Sequence, residues 1–240
     1  HAISLGVGEP DFDTPWHVRS EGIRSLEKGR TFYTSNSGLI ELRQEICKWY
    51  QRKYNVLYDY KTEALLTVGG SEGIDVALRA MLDPGDEVII PEPCYVSYVP
   101  CVQLIGAVPV TIELKNENQF RLTPEELLAA ITDKTKILIL AFPSNPTGAV
   151  MTKEDLEPIA KICQEKDIYV ISDEIYSELT YGGQKHCSIS SLPGMKDRTI
   201  VINGFSKAYA MTGWRIGFIA GPEWIVKACN KLQGQYTSGP

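Results

Sequence analysis

Apolar positions along this chain fall into two patterns that alternate from one segment to the next. Short unbroken runs of Val, Ile and Leu, of which Ile137-Leu-Ile-Leu-Ala-Phe142 is the longest, are bounded by Gly, Pro and Asp. This is the pattern of a strand covered on both faces. Between the runs, apolar residues recur at helical spacing and line one side of each segment. The runs predict strands at residues 65–68, 87–90, 108–112, 136–142, 168–172, 199–203 and 216–220. Helices are predicted at 71–82, 95–104, 124–131 and 153–166 between strands, at 16–28 and 40–54 before the sheet, and at 223–232 after it. Strands buried on both faces and alternating with helices predict an α/β fold, a three-layer α/β/α sandwich around a mostly parallel sheet of about seven strands. Loop markers such as Pro84-Gly-Asp86 and Tyr181-Gly-Gly183 are too short to separate two domains, so the chain reads as one.

Composition narrows the function classes. At 240 residues and 43% hydrophobic content the chain can bury a large core. A net charge of −6 excludes a surface built for nucleic acid or an anionic membrane, both of which need concentrated Lys and Arg. It leaves room for a small anionic ligand in a locally positive pocket. Cys47, Cys94, Cys101, Cys163, Cys187 and Cys229 have neither metal-site spacing nor the density of a disulfide scaffold, so no metal is expected and a cytoplasmic setting is. No apolar run is long enough to span a bilayer, and the N-terminus has no basic stretch leading into an apolar one. The opening His1-Ala-Ile-Ser-Leu5 and the closing Ser238-Gly-Pro240 read as cuts through a longer protein.

Unusual residues cluster just after predicted strands, where open α/β sheets bind ligands. Gly69-Gly-Ser-Glu72 leads from a strand into a helix whose free N–H groups suit a phosphate; without context it reads first as a glycine turn capped by Ser71. Pro143-Ser-Asn-Pro-Thr-Gly148 holds Asn145 between two prolines, as a rigid amide or as an ordinary turn. Asp173 stands at the tip of a buried run, where a carboxylate needs a cation or a hydrogen-bond donor. Lys207 follows another buried run among small residues, with Arg215 close behind. An ammonium in a partly desolvated crevice gives up its proton more readily and becomes a nucleophile, although most lysines are merely solvated charges.

Taken together these segments resemble the class I/II aminotransferases of the fold-type-I pyridoxal-phosphate superfamily. The matching text is Val7-Gly-Glu-Pro-Asp-Phe-Asp-Thr-Pro15, Phe32-Tyr33 with Gly38 and Glu41-Leu-Arg43, Val68-Gly-Gly-Ser71, Asp83-Pro-Gly-Asp-Glu-Val88, Ser144-Asn-Pro-Thr-Gly148, Ser172-Asp-Glu-Ile-Tyr176 and Ser206-Lys-Ala-Tyr-Ala-Met-Thr-Gly-Trp-Arg-Ile-Gly217. These segments keep the family's order and span nearly the whole chain; the last is highly specific, the glycine turn is not.

The resemblance implies pyridoxal 5′-phosphate as cofactor and an amino acid with a 2-oxo acid as substrates. By it, Lys207 is the Schiff-base lysine and general base, and Asp173 the carboxylate that keeps the pyridine nitrogen protonated. Asn145 and Tyr176 are implied as the pair on the phenolic oxygen, and Tyr95 as the ring stacked on the cofactor. Gly70, Ser71, Glu72, Ser206 and Arg215 resemble the phosphate cup. Gly8 resembles a backbone contact to the substrate carboxylate, a role Asn145 shares. Tyr33 resembles a residue that reaches the neighbouring subunit's phosphate, which implies a homodimer with active sites at the interface.

Residues 1–240 are thus expected to form the cofactor-binding large domain, with 1–15 a segment lining the active site. The family's C-terminal small domain, with its carboxylate-binding arginine, has no counterpart in this sequence. Gly204 stands where some relatives have a phosphate-binding hydroxyl, shifting weight to Ser206 and Arg215. Two other functions fit the same residues: a carbon–sulfur lyase or related elimination enzyme, and a non-catalytic module that binds cofactor or a partner.

Overall fold

The computed structural model describes residues 6–240. The predicted sandwich is found. Seven strands, β1 (Ala64–Val68), β2 (Glu87–Glu92), β3 (Val108–Glu113), β4 (Thr135–Ala141), β5 (Tyr169–Asp173), β6 (Thr199–Gly204) and β7 (Ile216–Ala220), form one sheet in the order β1-β7-β6-β5-β4-β2-β3. Pairing is parallel from β3 to β6, and β7 runs antiparallel to both β6 and β1.

Alternate residues of each strand feed opposite layers, as a pleated backbone requires. Ile137, Ile139, Ile171, Ile200, Ile202 and Ile219 pack under α3 (Gly69–Met81), α4 (Tyr98–Leu104) and α7 (Glu223–Tyr236). Leu138, Leu140 and Val170 pack on the other face against α5 (Pro124–Ala130) and α6 (Lys153–Glu165), while Leu66, Val201 and Phe218 meet α2 (Ile40–Tyr54) there. Helix α1 (Trp16–Glu27) buries no residue.

Three helix limits depart from expectation. Helix α4 starts at Tyr98, not at residue 95, because Pro100 then falls in the first turn, where a missing N–H costs no hydrogen bond. Helix α3 starts at Gly69, whose φ of +72° suits glycine, and Ser71 is not its cap. Glu72 supplies that function by accepting the Val68 N–H at 2.5 Å. Helix α7 runs past residue 232 to Tyr236 because Gln233, polar in the sequence, is fully buried and donates to the Leu66 carbonyl at 2.8 Å. Helices α5 and α6 start where Thr123 and Thr152 close capping boxes with Glu126 and Asp155.

Candidate active site

Beyond the carboxyl ends of β1, β4, β5 and β6 lies a half-open cavity of about 290 Å³. Gly8, Gly70, Ser71, Tyr95, Asn145, Asp173, Tyr176, Ser206, Lys207 and Arg215 all line it. Ten residues scattered from position 8 to position 215 therefore converge on one space. Glu72 and Tyr33 do not line it. The Glu72 carboxylate turns back to Val68 N–H and to the Thr237 hydroxyl at 2.6 Å, and the Tyr33 side chain is 97% exposed.

Asp173 is the last residue of β5 and is 8% exposed. Tyr98 donates its hydroxyl to Oδ2 at 2.7 Å, and Ile175 N–H donates to Oδ1 at 3.1 Å. Burial pushes the Asp173 carboxyl above its ordinary pKa; these two donors oppose the shift, and the neighbouring Glu174 charge adds to it. Tyr98 is the site residue that sequence reading passed over. Its spacing of three from Tyr95 is the available signal, since the two rings meet edge to face with centroids 5.6 Å apart.

Tyr176 is half-buried, and its phenol is raised by burial and by Asp173, with a hydrogen bond to Asn145 pulling the other way. Lys207 stands on the turn after β6. Its ammonium donates to the Gly8 carbonyl and lies 5.8 Å from the Tyr176 ring centroid. The N-terminal segment is fastened to that turn twice more, by the Thr14 hydroxyl on the Ala210 carbonyl at 2.5 Å and by the Thr212 hydroxyl on the Glu9 carboxylate at 3.0 Å.

At one end of the cavity three glycines let three backbone segments close up. A Cβ on Gly69 would stand 2.4 Å from Arg215 Nη2, and one on Gly217 would stand 2.4 Å from the Gly69 carbonyl carbon and 2.6 Å from Gly70 N. A Cβ on Gly204 would meet Gly217 Cα and the Ile216 carbonyl oxygen at 2.9 Å each, so no hydroxyl-bearing side chain fits at 204 without a shift. The start of α3, with N–H groups that no helical carbonyl reaches, is thereby set against the Arg215 guanidinium and the buried Ser206. Arg215 donates to the Thr212 carbonyl at 2.9 Å from a left-handed backbone conformation, φ +56°. A dianionic phosphate suits this donor set: a cation, hydroxyls and helix-start N–H groups gathered where side chains are excluded. Asp173, desolvated and without a cationic partner in its hydrogen bonds, suits a protonated ring nitrogen.

A second cavity, of about 250 Å³, lies on the other face of the sheet between α2 and the Lys207 turn, and is walled mainly by Leu42, Ile46, Trp49, Phe205 and Phe218. Glu45, Arg52 and Glu178 line it as well, but no lysine does.

Residues 1–240 match the family model described as aminotransferase class I and II. The chain is 50% identical over 230 residues to the putative aminotransferase YugH of Bacillus subtilis, covering 96% of this chain and 59% of that protein. It is 47% identical to aromatic-amino-acid aminotransferase 2 of Thermococcus litoralis, with the same coverage. Among solved structures, an aromatic aminotransferase from Pyrococcus horikoshii superposes with a TM-score of 0.97 at 47% identity, over 99% of this chain and 64% of that one. The aspartate aminotransferase of Thermus thermophilus with maleate gives 0.95 at 42% identity, over 98% and 61%. The chain spans about three fifths of the length of these relatives. With this fold and this match along its whole length, the chain belongs to the class I and II aminotransferase family.

Proposed function

We propose that this chain is the cofactor-binding part of a pyridoxal-phosphate-dependent aminotransferase, which moves an amino group between an amino acid and a 2-oxo acid. One observation carries the reading: a buried carboxylate, a lysine and a phosphate-suited pocket of glycine, serine and arginine line a single cavity. Bound there, pyridoxal 5′-phosphate supplies a ring that accepts the electron pair left when a proton departs from the substrate Cα.

The residues divide the work. Arg215, Ser206, Ser71 and the N–H groups of Gly70 and Ser71 hold the phosphate. Asp173, as the ionised carboxylate, keeps a proton on the ring nitrogen; a buried carboxylate with no cation in its own hydrogen bonds fits that task. Tyr176 and Asn145 donate to the phenolic oxygen, and Tyr95 stacks on the ring. Lys207 attaches the cofactor and then, as a free amine, takes the proton from the substrate Cα. Gly8 and Asn145 orient the substrate carboxylate, and residues 6–14, fastened to the Lys207 turn, wall off that side of the cavity from water. The adjacent exposed rings of Phe32 and Tyr33, 89% and 97% accessible, suit a homodimer in which Tyr33 reaches the other subunit's phosphate.

Among the described residues no helix is long and apolar enough to cross a membrane, and all six cysteines are free. The free thiols support a cytoplasmic setting.

Incubating the protein with an amino acid and 2-oxoglutarate tests the reading. Glutamate formation supports it. Pyruvate and ammonia released without an oxo-acid acceptor point instead to elimination, and failure to bind the cofactor at all removes the proposal.

A further inference from the structure

Asp173 has a second carboxylate as its neighbour, one the site does not use. Glu174 is 0% exposed and points away from the cavity, into the layer beneath α2. Its Oε1 accepts the Ser188 hydroxyl at 2.6 Å and the Ser172 hydroxyl at 3.1 Å, and its Oε2 accepts the Tyr50 hydroxyl at 3.0 Å. His186 Nε2, buried and without a hydrogen-bond partner, stands 3.5 Å from Oε2.

Burying a carboxylate is costly, and well-packed apolar side chains in its place are often as stable or more so. Three hydroxyl donors make Glu174 tolerable without explaining why it is there. The network's reach suggests a reason. Tyr50 OH, while donating to Glu174, accepts from Asn203 Nδ2 at 3.3 Å, and Asn203 Oδ1 accepts the Gly204 N–H at 2.7 Å. Glu174 N–H itself donates to the Ile202 carbonyl at 2.8 Å. The ends of β5 and β6, which carry Asp173 on one side and lead to Ser206 and Lys207 on the other, are thus joined through one buried carboxylate. Tyr98 fixes Asp173 from the cavity side. The Glu174 cluster fixes the same short segment from the opposite face.

We propose that Glu174 is a positioning residue for Asp173, holding the end of β5 from the far side of the sheet and placing a fixed negative charge behind the carboxylate that faces the cofactor ring. The inference rests on the reading that pyridoxal phosphate occupies the cavity. A second carboxylate behind Asp173 makes the potential at the ring nitrogen more negative, which favours the protonated ring over the neutral one.

The test compares two ligands by equilibrium titration: pyridoxal phosphate, and an analogue with CH in place of the ring nitrogen. Glu174→Gln keeps the side chain's shape and lets the three hydroxyls reorient. It is expected to weaken binding of pyridoxal phosphate by about tenfold, the equivalent of about 1.4 kcal/mol, and to leave the analogue's affinity unchanged. An equal loss for both ligands, or none for either, overturns the proposal and leaves Glu174 a purely structural group. Should Glu174→Gln fail to fold, Tyr50→Phe decides: a smaller loss confined to pyridoxal phosphate supports the relay, and an unchanged preference between the ligands overturns it. Failure of the unaltered protein to bind pyridoxal phosphate identifies the functional reading as the error and takes this inference with it.

Discussion

Asp173 ends a strand buried on both faces, and each of its oxygens is held, one by Tyr98 and the other by the Ile175 N–H. Lys207 lines the same cavity from a turn three residues beyond β6, half-buried, with its ammonium on a carbonyl of the N-terminal segment. The difference follows from the work proposed for each. A group that stabilises charge at one atom gains from being immobile before the reaction begins, because no reorganisation is then needed. A lysine that attaches a cofactor and later carries a proton must change partners, so a turn and one exchangeable hydrogen bond suit it better than a strand.

Four experiments break or sharpen this contrast. Lys207→Ala has the largest expected effect: borohydride no longer fixes the cofactor to the protein, and turnover falls by about 10²–10⁴-fold from the lost proton transfer alone. Peptide mass analysis and steady-state rates check both, and a label on another lysine would remove the assignment.

Asp173→Asn should cost about 10²–10³-fold in turnover while leaving the cofactor-free protein as stable as before or more so, because a buried charge is removed. The sign of the pH dependence follows from the raised carboxyl. Above its folded-state pKa the ionised Asp173 costs stability; as pH falls through that value toward 3.8, protonation relieves the cost. The stability gap between Asp173→Asn and the unaltered protein, read by thermal melts at stepped pH, should therefore shrink as pH falls. A gap that widens contradicts the burial assignment.

Gly217→Ala comes next, since its new Cβ would meet backbone atoms of Gly69 and Gly70 at 2.4–2.6 Å. Overpacking of this kind costs about 1–3 kcal/mol, and the displaced start of α3 should weaken cofactor binding as well. Denaturant melts and a cofactor titration measure the two losses separately. The smallest effect is expected from Thr14→Val, which removes the bond to the Ala210 carbonyl and about 0.5–1.5 kcal/mol. Faster amide exchange confined to the N-terminal segment and the Lys207 turn is the expected readout.

Much of the architecture was legible in the sequence. Unbroken Val, Ile and Leu runs and helical spacing located all seven strands and all seven α-helices of the described residues, because burial on two faces and burial on one face leave different periods. Helix limits were less legible. Where α4 starts depends on Pro100 finding the first turn, and where α7 stops depends on a Leu66 carbonyl in another strand that satisfies Gln233. The antiparallel direction of β7 has no local signature, since a buried strand reads the same in either orientation.

Residue types and their order by themselves determined that a lysine, an aspartate, an arginine and a glycine turn follow buried strands, and hence that they gather at one edge of the sheet. Tertiary structure alone decided which side each group serves. It turned Glu72 back onto its own helix start, set Tyr98 on Asp173, and sent Glu174 beneath α2 while Asp173 entered the cavity. The physical reason is that hydrogen-bond partners of buried polar groups come from segments distant in the chain. Tyr98 and Asp173 are 75 residues apart and Tyr50 and Glu174 are 124, and no local pattern records such a pairing.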